Sequence, residues 1–409
     1  MHLLFLHQNF PAQFAPIATH LAAQPGYRVT FVSNTGEGSI PGVERIAYKP
    51  GGGATARTHY CSRTFENVVW QSQGVVDALK ARPDIQPDLI IGHSGFVSTL
   101  PLRERFNAPQ INYFEYFYHT VGSDLDFRPD ERADEIDRIR ARFRNAALLL
   151  DLDNCNAGYC PTQWQRSRFP ERYRTKLDAI FDGIDTVQWS PRPRSPRQAG
   201  RFVVPDNIKL VTYVARGFES IRGFDIFMKV AKKLYQHRSD VRFLVVGQDR
   251  ICYGGDLKRT GGRSFKDWVL AQDSYDLSKF AFVGKVSPEV LAQVFSIGDL
   301  HIYLTVPFVL SWSLMNALAC GATVLASRTA PVCEMIEHGR NGLLNDFFDI
   351  DGFVDQANKV LDDLAAFRPL GLAGVEFIRS QYSLDVCLPQ IRALFNRVVS
   401  KPVPVPVGE

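Results

Sequence analysis

Arg216 and Arg222 stand close together in YVARGFESIRGF, where an apolar β-type run gives way to a loop and then to a helical pattern. Guanidinium groups there suit an anion. They pair bidentately with phosphate oxygens without needing a metal, and the start of the following helix adds its own positive end. The chemistry this allows is electrostatic stabilisation of a departing diphosphate, and a structural salt-bridge role is the competing reading. His93 closes another apolar run, DLIIGH, where an imidazole either meets a ligand or is satisfied inside the core. In YFEYFYH, Glu115 and His119 follow a third such run and suit hydrogen bonds to a hydroxyl-bearing ligand. Tyr113, Phe114, Tyr116, Phe117 and Tyr118 around them equally suit the packing of a loop.

Other chemistries find little support. GGGAT at 51–55 is followed by no GK[ST], and no GxGxxG opens a helix after a strand, so this stretch reads as a flexible loop. Ser, His and Asp are present, but the GxSxG elbow of a hydrolytic triad is missing. The cysteines, Cys61, Cys155, Cys160, Cys252, Cys320, Cys333 and Cys387, are scattered, without CxxC or Cys/His metal spacing. Reduced thiols in a cytoplasmic protein with no metal are expected.

Such residues must be delivered to strand ends, and the chain has the elements to do it. HLLFLHQ, YRVTFVS, VERIAYK, DLIIGHS and APQINYFE are short β-type runs. FAPIATHLAAQ, RTFENVVWQSQGVVDALKARP and STLPLRERF between them carry apolar residues at helical spacing. This βαβ grammar predicts parallel strands. It restarts beyond the Pro- and Arg-rich WSPRPRSPRQAGRFVVPDN, which suits an exposed connection. IKLVTYVA, VRFLVVG, KFAFVGKV, LHIYLTV and ATVLAS then alternate with GFDIFMKVAKKLYQ, PEVLAQVFSIGD, SWSLMNALACG and APVCEMIEHGRN. The expected organisation is a first domain over 1–195, a second over 196–378, a helix over 379–400 that crosses back to the first, and a frayed tail over 401–409. Open α/β sheets bind ligands beyond the carboxyl ends of their strands, so two facing sheets would share a cleft there.

A chain of 409 residues is too long for one ordinary core, in agreement with two domains. The apolar run of MHLLFLHQNF is too short for a signal peptide or a membrane span, because His7, Gln8 and Asn9 end it. A net charge of +4 is small for this size, so nucleic-acid binding is disfavoured. The arginines gathered between Arg138 and Arg201 read as a solvated helix surface, and they leave room for weak peripheral contact with an anionic membrane or for a protein partner.

LHIYLTVPFVLSWSLMNALACGATVLASRTAPVCEMIEHGRNGLL resembles the C-terminal signature of family 4 of the retaining glycosyltransferases: a strand, a glycine- or serine-containing loop, a helix reading EAMACG, then PVVAS and E-V-I-x-x-G-x-N-G-L-L. VRFLVVGQD and FAFVGKVSPEVLAQVFSIGD resemble the intervening strands of that family in the right order. PDLIIGHSG resembles its PDLIHAH, while GYCPTQWQRSRFP and IFDGIDTVQWSP look like its PSxWxxxxF and NGIDTxxFxP segments. HQNFPAQF is similar to the opening of a bacterial branch.

The resemblance implies the GT-B fold, two Rossmann-like doubly wound parallel-sheet domains facing a central cleft. It further implies a UDP- or GDP-sugar donor held mainly by the second domain. A hydroxyl acceptor (glycan, lipid-linked or small-molecule) would be held by the first, with transfer of the sugar with retention of configuration. Arg216 and Arg222 would offset the leaving diphosphate and His93 would position the donor sugar. Ser311, Trp312, Ser313, Asn316, Gly247, Val286 and Glu334 would contact the nucleotide-sugar, and Gln8, Asn9, Glu115 and His119 the acceptor. Neither a metal nor a separate cofactor is expected.

One departure stands out. The family's two glutamates, which touch the donor sugar and the ribose hydroxyls in relatives, fall on Phe308 and Asn316. A neutral amide loses charge assistance, weakening nucleotide binding by about 1–2 kcal/mol. Natural tuning, degeneration and an engineered change all fit Asn316. A second expectation therefore stands beside the first: a catalytically impaired homologue that serves as a nucleotide-sugar-binding or partner subunit.

Overall fold

A strand covered on both faces must be apolar at successive positions, and β1 (His2–Leu6) is buried throughout. Leu3 and Phe5 join Phe14, Ile17 and Leu21 of the segment around helix Ala15–Ala22, whereas Leu4 and Leu6 join Val75 and Leu79 of helix Arg63–Lys80. Alternating side-chain direction thus serves two cores from one strand. Around it lie β2 (Arg28–Ser33), β3 (Val43–Ala47), β4 (Leu89–His93), β5 (Gln110–Tyr113), β6 (Ala157–Cys160) and β7 (Leu177–Ala179). All pair in parallel, in the order β3-β2-β1-β4-β5-β6-β7. This computed structural model describes residues 1–400, so the expected tail at 401–409 lies outside the described residues.

The chain leaves this first unit at Gly183 and returns to it at Leu384. Helix Leu384–Val399 then adds Leu388, Ile391, Leu394, Phe395 and Val398 to the core beside β1. The second unit, Ile184–Ser383, opens with the antiparallel pair β8 (Gln198–Ala199) and β9 (Phe202–Val203). Its main sheet contains β10 (Lys209–Gly217), β11 (Val241–Gln248), β12 (Phe280–Gly284), β13 (Leu300–Tyr303), β14 (Val324–Ser327) and β15 (Leu343–Asn345). These strands are also all parallel, in the order β12-β11-β10-β13-β14-β15. Counted from the first strand of each sheet, both orders begin 3-2-1-4-5-6. The direction of winding therefore reverses beside β1 and beside β10, where doubly wound sheets open a crevice for ligand.

Several sequence expectations change in the structure. WSPRPRSPRQAGRFVVPDN is largely exposed, as expected, and it is also anchored: Arg194 and Arg197 form ion pairs of 2.6 and 2.5 Å with buried Asp299 at the start of β13. A carboxylate out of water needs such partners. The arginine-rich stretch is likewise not simply a solvated surface: Arg140 lies 4.5 Å from the Tyr60 ring centre and Arg144 lies 3.6 Å from that of Tyr118. Arg166 and Arg174 donate to main-chain carbonyls of the turn they enclose. The glycine loop at 51–55 is pinned, with the Ala54 N–H donating to Asn67 Oδ1 at 2.7 Å. STLPLRERF forms only the 3-10 turn Leu100–Glu104. Among the described residues no helix is long and apolar enough to cross a membrane.

Candidate active site

In the second unit β10 delivers Arg216 to its carboxyl end, exposed, while a 3-10 turn, Ser220–Arg222, carries Arg222 inward. Gly223 then takes φ 63°, and a Cβ there would lie 2.7 Å from that of Leu304, so only glycine fits between this turn and helix Phe224–His237. Arg222 donates from Nη1 to Thr305 Oγ1 at 2.7 Å and from Nη2 to the Val309 carbonyl at 3.1 Å. Its hydrogen-bond partners are thus neutral oxygens. Arg216 donates from Nη1 to the Tyr253 hydroxyl at 3.3 Å, a bond that raises its already high pKa. Both guanidinium carbons flank the Tyr253 ring, at 6.0 Å for Arg216 and 5.3 Å for Arg222.

Glu219, fully buried, organises this corner. Its Oε2 accepts the N–H groups of Cys252, Tyr253 and Gly254 at 2.9, 3.0 and 3.1 Å, and its Oε1 has no hydrogen-bond partner. Burial pushes its carboxyl pKa up, while the three N–H groups and Arg222 act against that rise. The loop after β13 hangs on Arg222 and brings Phe308 to 6.0 Å from Tyr253, ring to ring. Ser311 then caps helix Trp312–Ala319, its Oγ accepting from the Ser313 N–H at 3.3 Å, with its own N–H bonded to Tyr303 Oη at 3.1 Å. Trp312 is half-exposed, and Asn316, one turn on, is buried with Oδ1 unpartnered.

The remaining second-unit candidates lie in other surroundings. Gly247 closes β11 with φ 151°, and a Cβ there would meet the Ala215 carbonyl at 2.3 Å, so this glycine permits the close approach of β10 and β11. Val286 lines an apolar pocket of about 350 Å³ with Leu244, Val283, Val290 and the β8–β9 turn. Glu334 borders a crevice of about 770 Å³ with Arg328, His338 and Phe377.

In the first unit β4 ends on His93, which is buried. The Gln13 amide nitrogen is bonded to its Nδ1, so the ring proton sits on Nε2, 3.8 Å from Glu115 Oε2. The rings of His7, Phe96 and Tyr113 surround it at 4.9, 4.6 and 4.9 Å. Burial, reinforced by His7, holds the His93 pKa well below that of a free imidazole, and burial holds His7 at about 4. Both imidazoles are neutral at physiological pH. The Asn9 N–H donates to His7 Nδ1 at 2.8 Å, its side chain accepts from Thr35, and Gln8 bonds the 34–35 turn through its carbonyl. His119 is drawn elsewhere, its Nε2 bonded to the Arg168 carbonyl at 2.7 Å.

Sequence reasoning did not single out His7, Gln13, Asp151, Glu219 or Tyr253. Asp151, fully buried on helix Ala146–Asn154, accepts from Ser94 Oγ at 2.6 Å and Ser98 Oγ at 2.5 Å, tying down the loop that follows His93. Gln13 and His7 sit in HQNFPAQF, which offered a signal, whereas Glu219 works through main-chain N–H groups of a distant loop and left none. Among the described residues no group of three or more His, Cys, Asp or Glu side chains gathers in a way that could hold a metal ion.

Residues 25–188 match the family described as glycosyl transferase family 4 group, and residues 208–363 match glycosyl transferases group 1. The chain is 26% identical over 238 residues to a D-inositol 3-phosphate glycosyltransferase of Pseudarthrobacter chlorophenolicus, a match covering 57% of this chain and 54% of that protein. It thus spans about half the length of that curated relative. Among solved structures it is similar to sucrose-phosphate synthase from Thermosynechococcus elongatus, with a TM-score of 0.74 at 18% identity over 97% of this chain and 98% of that one. It is also similar to the Anabaena protein Alr3699/HepE in complex with UDP and glucose, with a TM-score of 0.68 at 15% identity over 97% and 100% of the two chains. Residues 25–188 thus form a glycosyl transferase family 4 group domain and residues 208–363 a glycosyl transferases group 1 domain, on the GT-B fold of two doubly wound, parallel-sheet units.

Proposed function

We propose that this protein is a retaining glycosyltransferase that moves a sugar from a UDP- or GDP-sugar to a hydroxyl of a glycan, lipid-linked or small-molecule acceptor, without a metal ion. The observation that carries this reading is the pair of guanidinium groups at the end of β10, Arg216 and Arg222, converging on one phenol while bonded only to neutral oxygens. Two fixed positive charges stabilise a diphosphate as it departs, and they do so more strongly where water is excluded. The uncharged His93 suits the hydroxyls of a sugar, because its Nε2–H is a donor and burial prevents it from becoming a cation. The reading places the protein in the cytoplasm of a bacterium of the HQNFPxQF branch.

Calorimetric titration with UDP, GDP and their sugars, paired with donor-hydrolysis and transfer assays, tests it. Binding of one nucleotide, transfer insensitive to EDTA, and a product whose anomeric proton coupling by NMR matches that of the donor are expected. An inverted anomer would end the retaining assignment.

One observation favours a second reading, that of an impaired homologue which binds nucleotide-sugar or serves a partner. Asn316 is buried with its Oδ1 unpartnered, where the family resemblance calls for a carboxylate. Nucleotide binding without turnover, with turnover restored by Asn316→Glu, supports that reading; turnover by the unaltered chain removes it.

A further inference from the structure

We propose that the Tyr253 hydroxyl is a third donor in the anion site between Arg216 and Arg222, reading a phosphoryl oxygen, and that Glu219 is the positioning residue that fixes it there. The proposal rests on the reading of the arginine pair as a diphosphate site. The Tyr253 oxygen accepts a hydrogen bond from Arg216 Nη1, so its own proton points to no protein acceptor and stays available. Tyr253 is 43% exposed, and the two guanidinium groups and Phe308 lie around its ring. Arg222 uses two of its five N–H groups on Thr305 and Val309, so further donors remain on a guanidinium whose carbon lies 5.3 Å from the Tyr253 ring centre. A ligand with several acceptor oxygens and negative charge satisfies this set, and a phosphoryl group has both.

The loop that carries Tyr253 is latched twice. Glu219 Oε2 takes three consecutive main-chain N–H groups of that loop, and in return Asp256 Oδ2 takes the Ser220 N–H at 2.9 Å. Burying a carboxylate is costly unless it is bonded in this way. The bonds made by Glu219 run to the residues that aim Tyr253, not to the sheet, so its role is to place that phenol.

Isothermal titration of the full chain with UDP and with inorganic pyrophosphate tests both parts, using Tyr253→Phe, Glu219→Gln, the double variant and Arg216→Ala. Tyr253→Phe deletes one oxygen and should weaken both ligands about tenfold, the usual size for a hydrogen bond to a charged group. Glu219→Gln should weaken UDP by a similar factor, with no further loss when it is added to Tyr253→Phe, because it acts through the same phenol. A loss on UDP alone moves Tyr253 to the base or ribose and overturns the phosphoryl contact. Unchanged binding by Tyr253→Phe, with binding lost in Arg216→Ala, overturns the proposal and leaves the diphosphate reading intact. Additive losses in the double variant overturn the positioning role of Glu219. A wild-type chain that binds neither ligand, or an Arg216→Ala variant that binds both as well as wild type, overturns the proposal together with the reading beneath it.

Discussion

The two sheets share a strand order and differ at their strand ends. Beyond β1 and β4 sit His7 and His93 among Phe96 and Tyr113, and burial keeps both imidazoles neutral. At and just past the end of β10 sit Arg216 and Arg222 around Tyr253, and no degree of burial in a protein removes a guanidinium charge. The same topology therefore presents two neutral imidazoles, with Glu115 3.8 Å from His93, at the edge of one unit and two guanidinium groups at that of the other. Winding order decides where a ligand can sit. Side-chain chemistry decides which charge it can carry, and Arg222 tolerates burial because Thr305 and the Val309 carbonyl satisfy it without neutralising it.

The severest way to break this contrast is to discharge the second edge. Arg216→Met with Arg222→Met should lower kcat/KM at least about 10³-fold, roughly 4 kcal/mol of transition-state stabilisation, and abolish pyrophosphate binding by calorimetry. A double variant that still binds pyrophosphate would show that the anion sits elsewhere.

The first edge can be probed next through pH. Asp151 has its carboxyl pKa raised by burial to about 6, with Ser94 and Ser98 acting against the rise, so its contribution to stability is present below the unfolded value and lost as pH climbs through about 6. His7 has the opposite sign: its contribution is complete above an unfolded value near 6.5 and lost as pH falls through about 4. The two oppose one another between those limits. Asp151→Asn removes the acid-favoured member, so the loss of stability between pH 6 and pH 4 should steepen by about 3 kcal/mol in urea titrations. An unchanged slope would place the Asp151 pKa near that of an ordinary carboxyl. Smaller again is the effect of His93→Ala, expected to lower kcat about 10²-fold while changing the UDP dissociation constant less than threefold, because the proposed diphosphate site belongs to the other unit.

Much of the scaffold was legible from spacing. Runs such as HLLFL and VRFLVVGQ are apolar at consecutive positions because strands covered on both faces must be, and they became β1 and β11. β6, β7 and β15 were not anticipated as strands, being only three or four residues long, as AGYC, LDA and LLN. Helix Leu364–Gln381 escaped notice because Pro369 lies inside it, and proline argues against a helix unless packing overrides it. At the sites, the charged members were visible because Arg216 and Arg222 flank a strand-to-helix turn. The residues that aim them were not: Glu219 and Tyr253 meet across more than thirty positions through main-chain bonds, which no side-chain pattern records.

Asn316→Glu sets the two requirements of the charged edge against each other, and its expected effect is the smallest. Asn316 lies on the buried side of helix Trp312–Ala319, and its Oδ1 meets no protein donor. A carboxylate placed there gains charge-assisted hydrogen bonds from ribose hydroxyls if the nucleotide lies where the family resemblance puts it, tightening UDP about tenfold. Without ligand the same carboxylate is a buried charge with no partner, so the ligand-free variant should melt lower than the unaltered chain. Thermal melts with and without saturating UDP therefore separate the two terms: a variant destabilised alone and recovered by UDP reports a ribose contact. One destabilised equally in both conditions shows that the nucleotide does not reach Asn316, and the second edge then recognises only the phosphates.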